Sequence, residues 1–333
     1  MPVAFISGTG LIGASMGLGL ADAGWDTLGW DPDRSRLDAA SALGAITASD
    51  PEKISRLDAA DLVVLAAPPR PVIETLPALD TAALVIDVAA VKAPVLRSER
   101  SVRFVGTHPM AGREQSGPEA ASAGLFRGTA WVVTTDGAAE ADLEVVDGVV
   151  DTLGARPIHM TAAAHDSAVA RVSHLPQLVA AALLETAAAD PRAMDLAAGS
   201  FRDLTRVAAS DPSMWIDIIE LNREAIAEAT SALKGALDGT RAVDQLEQML
   251  YEARALRATL GPALAVVRVA LIDEPGELAR VGEALAASGV DVRDLQLRHA
   301  PHGGGGILTI SVRPGETGAL STALIEVGLD VIE

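Results

Sequence analysis

The strongest constraint in this chain comes at its start. Val3 to Ser7 is a short apolar run, and Gly8-Thr9-Gly10-Leu11-Ile12-Gly13 follows it directly. An Ala-rich apolar segment then runs to about Gly24, a second short strand covers Thr27 to Trp30, and Asp31 closes it. A GxGxxG alone often marks only a flexible turn. Here it has a strand before it, a helix after it and an acid roughly 20 residues on, the arrangement that binds a dinucleotide. Gly8 permits the tight turn, Gly10 lets the backbone approach a pyrophosphate, and Gly13 lets helix and strand pack closely. Leu11 and Ile12 lie in the same turn, where the helix N-terminus offers donors and partial positive charge. Asp31 accepts hydrogen bonds from ribose hydroxyls and repels a 2′-phosphate, so the expected cofactor is NAD rather than NADP. The competing reading is a βαβ unit that binds nothing.

Further strand-like runs follow at α/β spacing: Leu62 to Ala66, Leu84 to Asp87, Arg103 to Thr107 and Ala130 to Thr134. They predict a mostly parallel, doubly wound sheet over residues 1–155. In such sheets ligands lie beyond the carboxyl ends of the strands. Ala67-Pro68-Pro69, Asp87 to Lys92 and His108 all lie at such ends, which puts His108 where a nicotinamide ring and its substrate would meet.

From Thr161 the pattern is helical, and residues 156–262 are expected to form an all-helical domain. Asp166, Ser173, His174 and Gln177 fall at i, i+7, i+8 and i+11, the spacing of one helical face, and Pro176 should kink that helix. Polar residues on an Ala/Leu/Val helix are costly to bury without partners. They mark either a satisfied internal network, a subunit interface or one wall of a site. Farther on, Arg206 is a candidate grip for a carboxylate, or else the partner of Asp203 in a surface ion pair. After Gly261-Pro262, residues 263–333 read strand, helix, strand, strand, helix, short strand, with a hairpin loop at Gly303 to Gly306. His159, His299 and His302 suggest no role.

Composition narrows the partners. The 333 residues carry a formal charge of −19, a poor match for nucleic acid or an anionic membrane surface. There is no cysteine, hence no disulfide and no cysteine-ligated zinc, and no metal site is expected. Without a basic, apolar leader or an uncharged run of about 18 apolar residues, the expectation is a cytoplasmic protein.

Taken in order, GTGLIG with Asp31, "DVAAVK", "THPMAGREQSG", "HDSAVARVSHLPQ", "GSFRDLTRVAASDPSMW" and "IDEPGELARVGEAL" resemble the prephenate dehydrogenases, with a C-terminal ACT domain. The resemblance covers nearly the whole chain. It implies a Rossmann-type domain, a helical dimerisation domain and a ferredoxin-like βαββαβ ACT domain. It implies hydride transfer from C4 of prephenate to NAD with loss of CO₂, giving 4-hydroxyphenylpyruvate on the route to tyrosine. By the same resemblance His108 is the catalytic histidine and Arg206 holds the carboxylate. His174, Gln177 and Lys92 line the pocket, Glu114 gates it, Trp215 packs it and Asp203 orients its neighbours. The cofactor would rest on the glycine loop, Asp31, Ala67, Pro68 and Asp87. A regulatory amino acid, L-tyrosine by the natural hypothesis, would bind near Asp273, Pro275, Gly276 and Leu278, and the chain would be a homodimer.

Two departures bear on this. Ala90 stands where the family usually has a serine whose hydroxyl helps hold the catalytic histidine. Gln177 stands where the family often has histidine, which bears on prephenate against arogenate, its amino-acid analogue. Other two-domain reductases acting on hydroxyacids, imines or pyrroline carboxylates usually lack these motifs, and many use a helical-domain lysine. Here the only such lysine is Lys234, far from the polar stripe. A non-catalytic amino-acid sensor remains the remoter alternative.

Overall fold

The computed structural model describes residues 1–48, 57, 60–112, 117–237, 243–260, 265–272, 274–299 and 305–332. Two compact units divide the chain, 1–237 and 238–333.

The first unit is built on six parallel strands: β1 (Val3–Ser7), β2 (Asp26–Trp30), β3 (Thr47–Ala48), β4 (Leu62–Leu65), β5 (Leu84–Asp87) and β6 (Phe104–Val105). Their order is β3-β2-β1-β4-β5-β6, so the chain reverses direction across the sheet between β1 and β4. That reversal opens the crevice in which doubly wound sheets hold ligands. Every residue of β4 and β5 is buried, as expected when both faces are covered. Alternate residues divide between two cores. Ala4, Ile6, Val64 and Ile86 pack on the face covered by α1 (Leu11–Asp22) through Ala14, Met16 and Leu20. Phe5, Val63, Leu65 and Val85 pack on the other, covered by α3 (Pro69–Thr75) through Val72.

The run Arg103 to Thr107 is not one strand of this sheet. It breaks at Gly106: Phe104–Val105 ends the parallel sheet, and Thr107–Pro109 begins another as β7. Ala130–Thr134, expected in the parallel sheet, is instead β8, antiparallel to β7 and parallel to β9 (Arg156–Met160). β9 carries this second sheet on to Met160. A side chain at Gly106 would crowd this junction, because a Cβ there would sit 2.9 Å from Thr134 Oγ1.

Residues 162–188 form one helix in three parts: α6 (Ala162–Val169), a π turn (Ala170–His174) and α7 (Leu175–Ala188). The kink expected at Pro176 takes the form of this widened turn. A proline cannot donate to the carbonyl four residues back and crowds it, and a π turn just before it relieves both. The helix is apolar and long enough to cross a membrane by composition, yet its polar line is turned into the protein. Next come α8 (Pro191–Asp195), α9 (Gly199–Thr205), a short 3₁₀ turn (Arg206–Ala209), α10 (Pro212–Leu221) and α11 (Arg223–Ala236). Arg70 of α3 ties α10 to the sheet, its Nε 2.6 Å from Asp217 Oδ1 and its other arm on Glu220.

In the second unit, α12 (Val243–Thr259) precedes β10 (Ala265–Leu271), α13 (Glu277–Ser288), β11 (Asp294–His299), β12 (Gly306–Val312), α14 (Thr317–Glu326) and β13 (Asp330–Ile332). The sheet is antiparallel with order β11-β12-β10-β13, the ferredoxin-like connectivity expected for this stretch. The period-2 alternation places Val267, Val269, Leu271, Leu308, Ile310 and Val312 in one core with Val281, Ala284, Leu320 and Leu324 of the two helices.

Candidate active site

The glycine loop fits an anion. Gly8 has φ +99°, and a Cβ there would lie 2.2 Å from Ala66 O, while one at Gly13 would lie 1.9 Å from Gly8 O. Both glycines are therefore required for the turn itself. Gly10 differs: a Cβ there would meet nothing within 4 Å, so the space it leaves open faces out of the fold. Gly10 caps α1 without a capping side chain, and no acid lies in the helix's first turn, so the N-terminal amides remain available to phosphate oxygens. Asp31, nearly buried, holds the loop in shape. Its Oδ2 accepts from Thr9 N at 2.7 Å and its Oδ1 from Asp33 N at 2.8 Å, and a carboxylate has lone pairs to spare for hydroxyls. Leu11 and Ile12 open α1, and Ala67 and Pro68 lie between β4 and α3, on the crevice side.

Across the crevice, His108 is seated by what lies beneath it. Thr107 N donates to Asp87 Oδ1 at 3.0 Å, and Lys92 Nζ donates both to Asp87 and, at 2.7 Å, to Thr107 O. Lys92, Asp87 and Thr107 are wholly buried. Burial holds the Lys92 ammonium below the usual lysine range, opposed by Asp87. The structure thus sets Asp87 and Lys92 against each other below the site, where they fix the backbone that carries His108.

A second layer comes from the helical part. His165, fully buried, places Nε2 2.9 Å from His108 Nδ1, with the two rings edge to face. His165 Nδ1 lies 2.7 Å from Asp166 Oδ1. Asp166 also accepts the amides of Lys92 at 2.7 Å and Ala93 at 2.8 Å, stitching α6 to the start of α4 (Ala93–Arg97). Burial alone would raise the Asp166 carboxyl; the hydrogen bonds from His165, Lys92 and Ala93 outweigh it and hold it below the usual range. Beyond it, Asn222 Nδ2 reaches Asp166 O at 2.8 Å and His174 Nδ1 at 3.1 Å. Trp215 meets the His174 ring edge to face, 6.1 Å between centroids.

Burial pushes His174 down to about 4 against the pull of Asp166. Burial likewise pushes His108 well below the histidine range, helped by His165, Lys92 and His174. Both rings are neutral at pH 7. Among the described residues, three buried polar atoms here have no hydrogen-bond partner: His174 Nε2, Gln177 Oε1 and Trp215 Nε1. Each orphan costs on the order of 1–3 kcal/mol. Three orphans gathered from two helices mark a place where a polar ligand completes the bonding.

The polar stripe read from the sequence is thus brought together as one buried wall at Asp166, His174 and Gln177. Arg206 and Asp203 lie on the exposed side of α9 and the 3₁₀ turn, both of which pack against α7. Glu114 and Asp273 fall outside the described residues. Sequence reasoning missed His165 and Asn222. His165 could have been noticed as an imidazole beside Asp166 on an apolar helix, whereas Asn222 carries no local signal.

The chain matches two family models, prephenate dehydrogenase nucleotide-binding domain over residues 17–159 and prephenate dehydrogenase dimerization domain over residues 161–255. It is 32% identical to the probable prephenate dehydrogenase NovF of Streptomyces niveus, over 94% of this chain and 95% of that protein. Among solved structures it is similar to the A. aeolicus prephenate dehydrogenase in complex with hydroxyphenyl propionate and NAD⁺ (TM-score 0.72, 30% identity, 78% of this chain and 99% of that one). It is also similar to the Synechocystis arogenate dehydrogenase (TM-score 0.64, 29% identity, 77% of this chain and 97% of that one).

Proposed function

The chain belongs to the prephenate dehydrogenase family, and from that premise we propose that it oxidises prephenate to 4-hydroxyphenylpyruvate and CO₂, with NAD⁺ reduced to NADH. The observation that carries the reading is the seat of His108: a neutral imidazole on β7, its Nδ1 engaged by buried His165 and its Nε2 left to act on substrate. When bound, NAD⁺ supplies the hydride acceptor; the glycine loop, Asp31, Ala67 and Pro68 would hold it. His108 draws the proton of the 4-hydroxyl as C4 gives up hydride and the C1–carboxylate bond breaks. The bond electrons stay in the ring, which becomes aromatic. The proton returns to the phenol oxygen, so none is consumed. A base in this place contributes about 10²–10⁴-fold. Arg206 would pair with a substrate carboxylate, Glu114 would gate the pocket, and Asp203 and Trp215 would position their neighbours.

A specific observation favours a second substrate. Among the described residues Gln177 Oε1 is a buried acceptor without a partner, which suits the side-chain ammonium of arogenate. The Nε2 of His174 suits instead a keto or carboxylate oxygen. NADH formation at 340 nm with each substrate, and with NADP⁺ in parallel, decides between them. Turnover with prephenate and NAD⁺ is expected; turnover with arogenate alone would move the enzyme to the sister activity, and silence with both would overturn the reading.

The homodimer is supported by the match to a dimerization-domain model and by outward-facing Val172, Leu204 and Ile216 in the same stretch. The second unit is proposed to be an amino-acid-binding regulatory domain, with L-tyrosine as effector. In support, a cavity of about 390 Å³ lies against the start of α13, lined by Pro275, Gly276, Leu278, Leu297 and His299. Glu277 faces the same cavity, buried, its Oε1 held by Arg280 and its Oε2 without a partner among the described residues, which suits an ammonium group. Tyrosine is expected to inhibit, and the Glu277→Gln variant to escape inhibition with its basal rate intact. The acidic chain is taken as a cytoplasmic enzyme with no nucleic-acid or membrane partner.

A further inference from the structure

The two histidines of the site are each held at Nδ1 by a group whose own hydrogens are fixed elsewhere. Consider His108 first. Ionised Asp166 can only accept, so His165 donates to it from Nδ1 across 2.7 Å. In its neutral form His165 then has a bare Nε2, an acceptor 2.9 Å from His108 Nδ1. His108 meets it with an N–H on Nδ1, and the lone pair of its ring falls on Nε2. Consider His174 next. Asn222 bonds the carbonyl of Asp166 at 2.8 Å, which only the NH₂ end of an amide can do. The second hydrogen of that NH₂ faces His174 Nδ1 at 3.1 Å. That nitrogen accepts, so the proton of the neutral ring lies on Nε2, the buried atom without a partner. Reversing either ring would set two N–H groups or two lone pairs face to face within a dry interior, where mismatched polar groups cost most.

We propose that Asp166, acting through His165 on one side and Asn222 on the other, locks His108 and His174 in opposite tautomers, so that Nε2 of His108 is the proton acceptor of the site and Nε2 of His174 its hydrogen-bond donor to a substrate oxygen. His165 and Asn222 are positioning residues, and the catalytic part of the statement rests on the reading of His108 as the base. The arrangement assigns a different job to each of two identical side chains, and it does so without the serine hydroxyl that Ala90 leaves out. His165 supplies His108 with a partner at the nitrogen away from the substrate, as the orienting acid does for histidine in a catalytic triad.

The direct test is ¹⁵N NMR of the full-length protein labelled at its histidine rings, at neutral pH, with His108→Ala and His174→Ala used for assignment. The expected spectrum has His108 protonated at Nδ1 and His174 at Nε2. His108 protonated at Nε2, either ring cationic, or both rings in the same tautomer overturns the proposal. Variants extend the test to turnover. His165→Leu removes the acceptor and is expected to lower kcat about 10²-fold, the lower end of the general-base range, with NAD⁺ affinity unchanged. His165→Gln keeps an acceptor oxygen and should restore most of that loss. Asn222→Asp replaces the donor with an acceptor, should drive His174 to the Nδ1–H form, and should raise the substrate KM on the order of tenfold more than it lowers kcat. Equal rates for His165→Leu and wild type would also overturn it. If the wild type turns over neither prephenate nor arogenate while both tautomers are as stated, the functional reading fails and the relay stands.

Discussion

Replacing Lys92 with methionine isolates the element that seats the catalytic histidine. Lys92 and Asp87 form an ion pair with both side chains fully buried. Deleting the cation leaves a carboxylate sealed from water, and breaking a buried pair on one side costs about 3–5 kcal/mol. Two backbone amides would remain on Asp87, from Ala89 at 3.0 Å and Thr107 at 3.0 Å, so the lower end, about 3 kcal/mol, is expected. The double variant Asp87→Asn, Lys92→Met removes both charges and should recover more than half of that loss. All four tryptophans, at 25, 30, 131 and 215, belong to the first unit, so their fluorescence during urea unfolding reports on that unit alone. Activity should fall further than stability, because Lys92 also holds Thr107 O at 2.7 Å, next to His108. A single variant within about 1 kcal/mol of wild type, or a double variant no better than the single, would refute the reasoning.

Gly10→Ala should leave the urea midpoint unchanged yet weaken NADH binding by about tenfold or more, because its Cβ meets no protein atom but enters the space left for phosphate. Gly13→Ala should damage both, since its Cβ would collide with Gly8 O; fluorescence titration and unfolding measure the pair. His108 and His174 both titrate below the free histidine value, so kcat/KM should stay level as pH falls through 6.5 and drop only beneath it. The unfolded chain protonates these rings first, so stability should also decline as pH falls from about 6.5 towards 4; an acid limb centred on 6.5 in the rate profile would contradict the burial argument. Arg70→Ala breaks a solvent-screened clamp between α3 and α10 and should lower the thermal unfolding midpoint only slightly.

Much of this protein was written locally. The strand, GTGLIG turn and helix, with Asp31 at the end of the next strand, are fixed by steric and periodic rules acting over about 30 residues. The buried strands β4 and β5 announce themselves as unbroken apolar runs, and the line from Asp166 to Gln177 as polar residues at helical spacing. The βαββαβ order of the last 70 or so residues follows from the same alternation. What the sequence could not reveal is which segments meet. Nothing in Arg103 to Thr107 says that the chain leaves one sheet for another at Gly106; that shows only in the pairing of Thr107–Pro109 with the distant strand β8. Nothing near His108 points to His165, 57 positions away, and nothing near His174 points to Asn222, 48 positions away. Residue type and spacing set what each segment could bury, because those are properties of short stretches. The protonation of the two histidines is a property of hydrogen bonds between segments, and only the folded chain brings those atoms within 3 Å or so of one another.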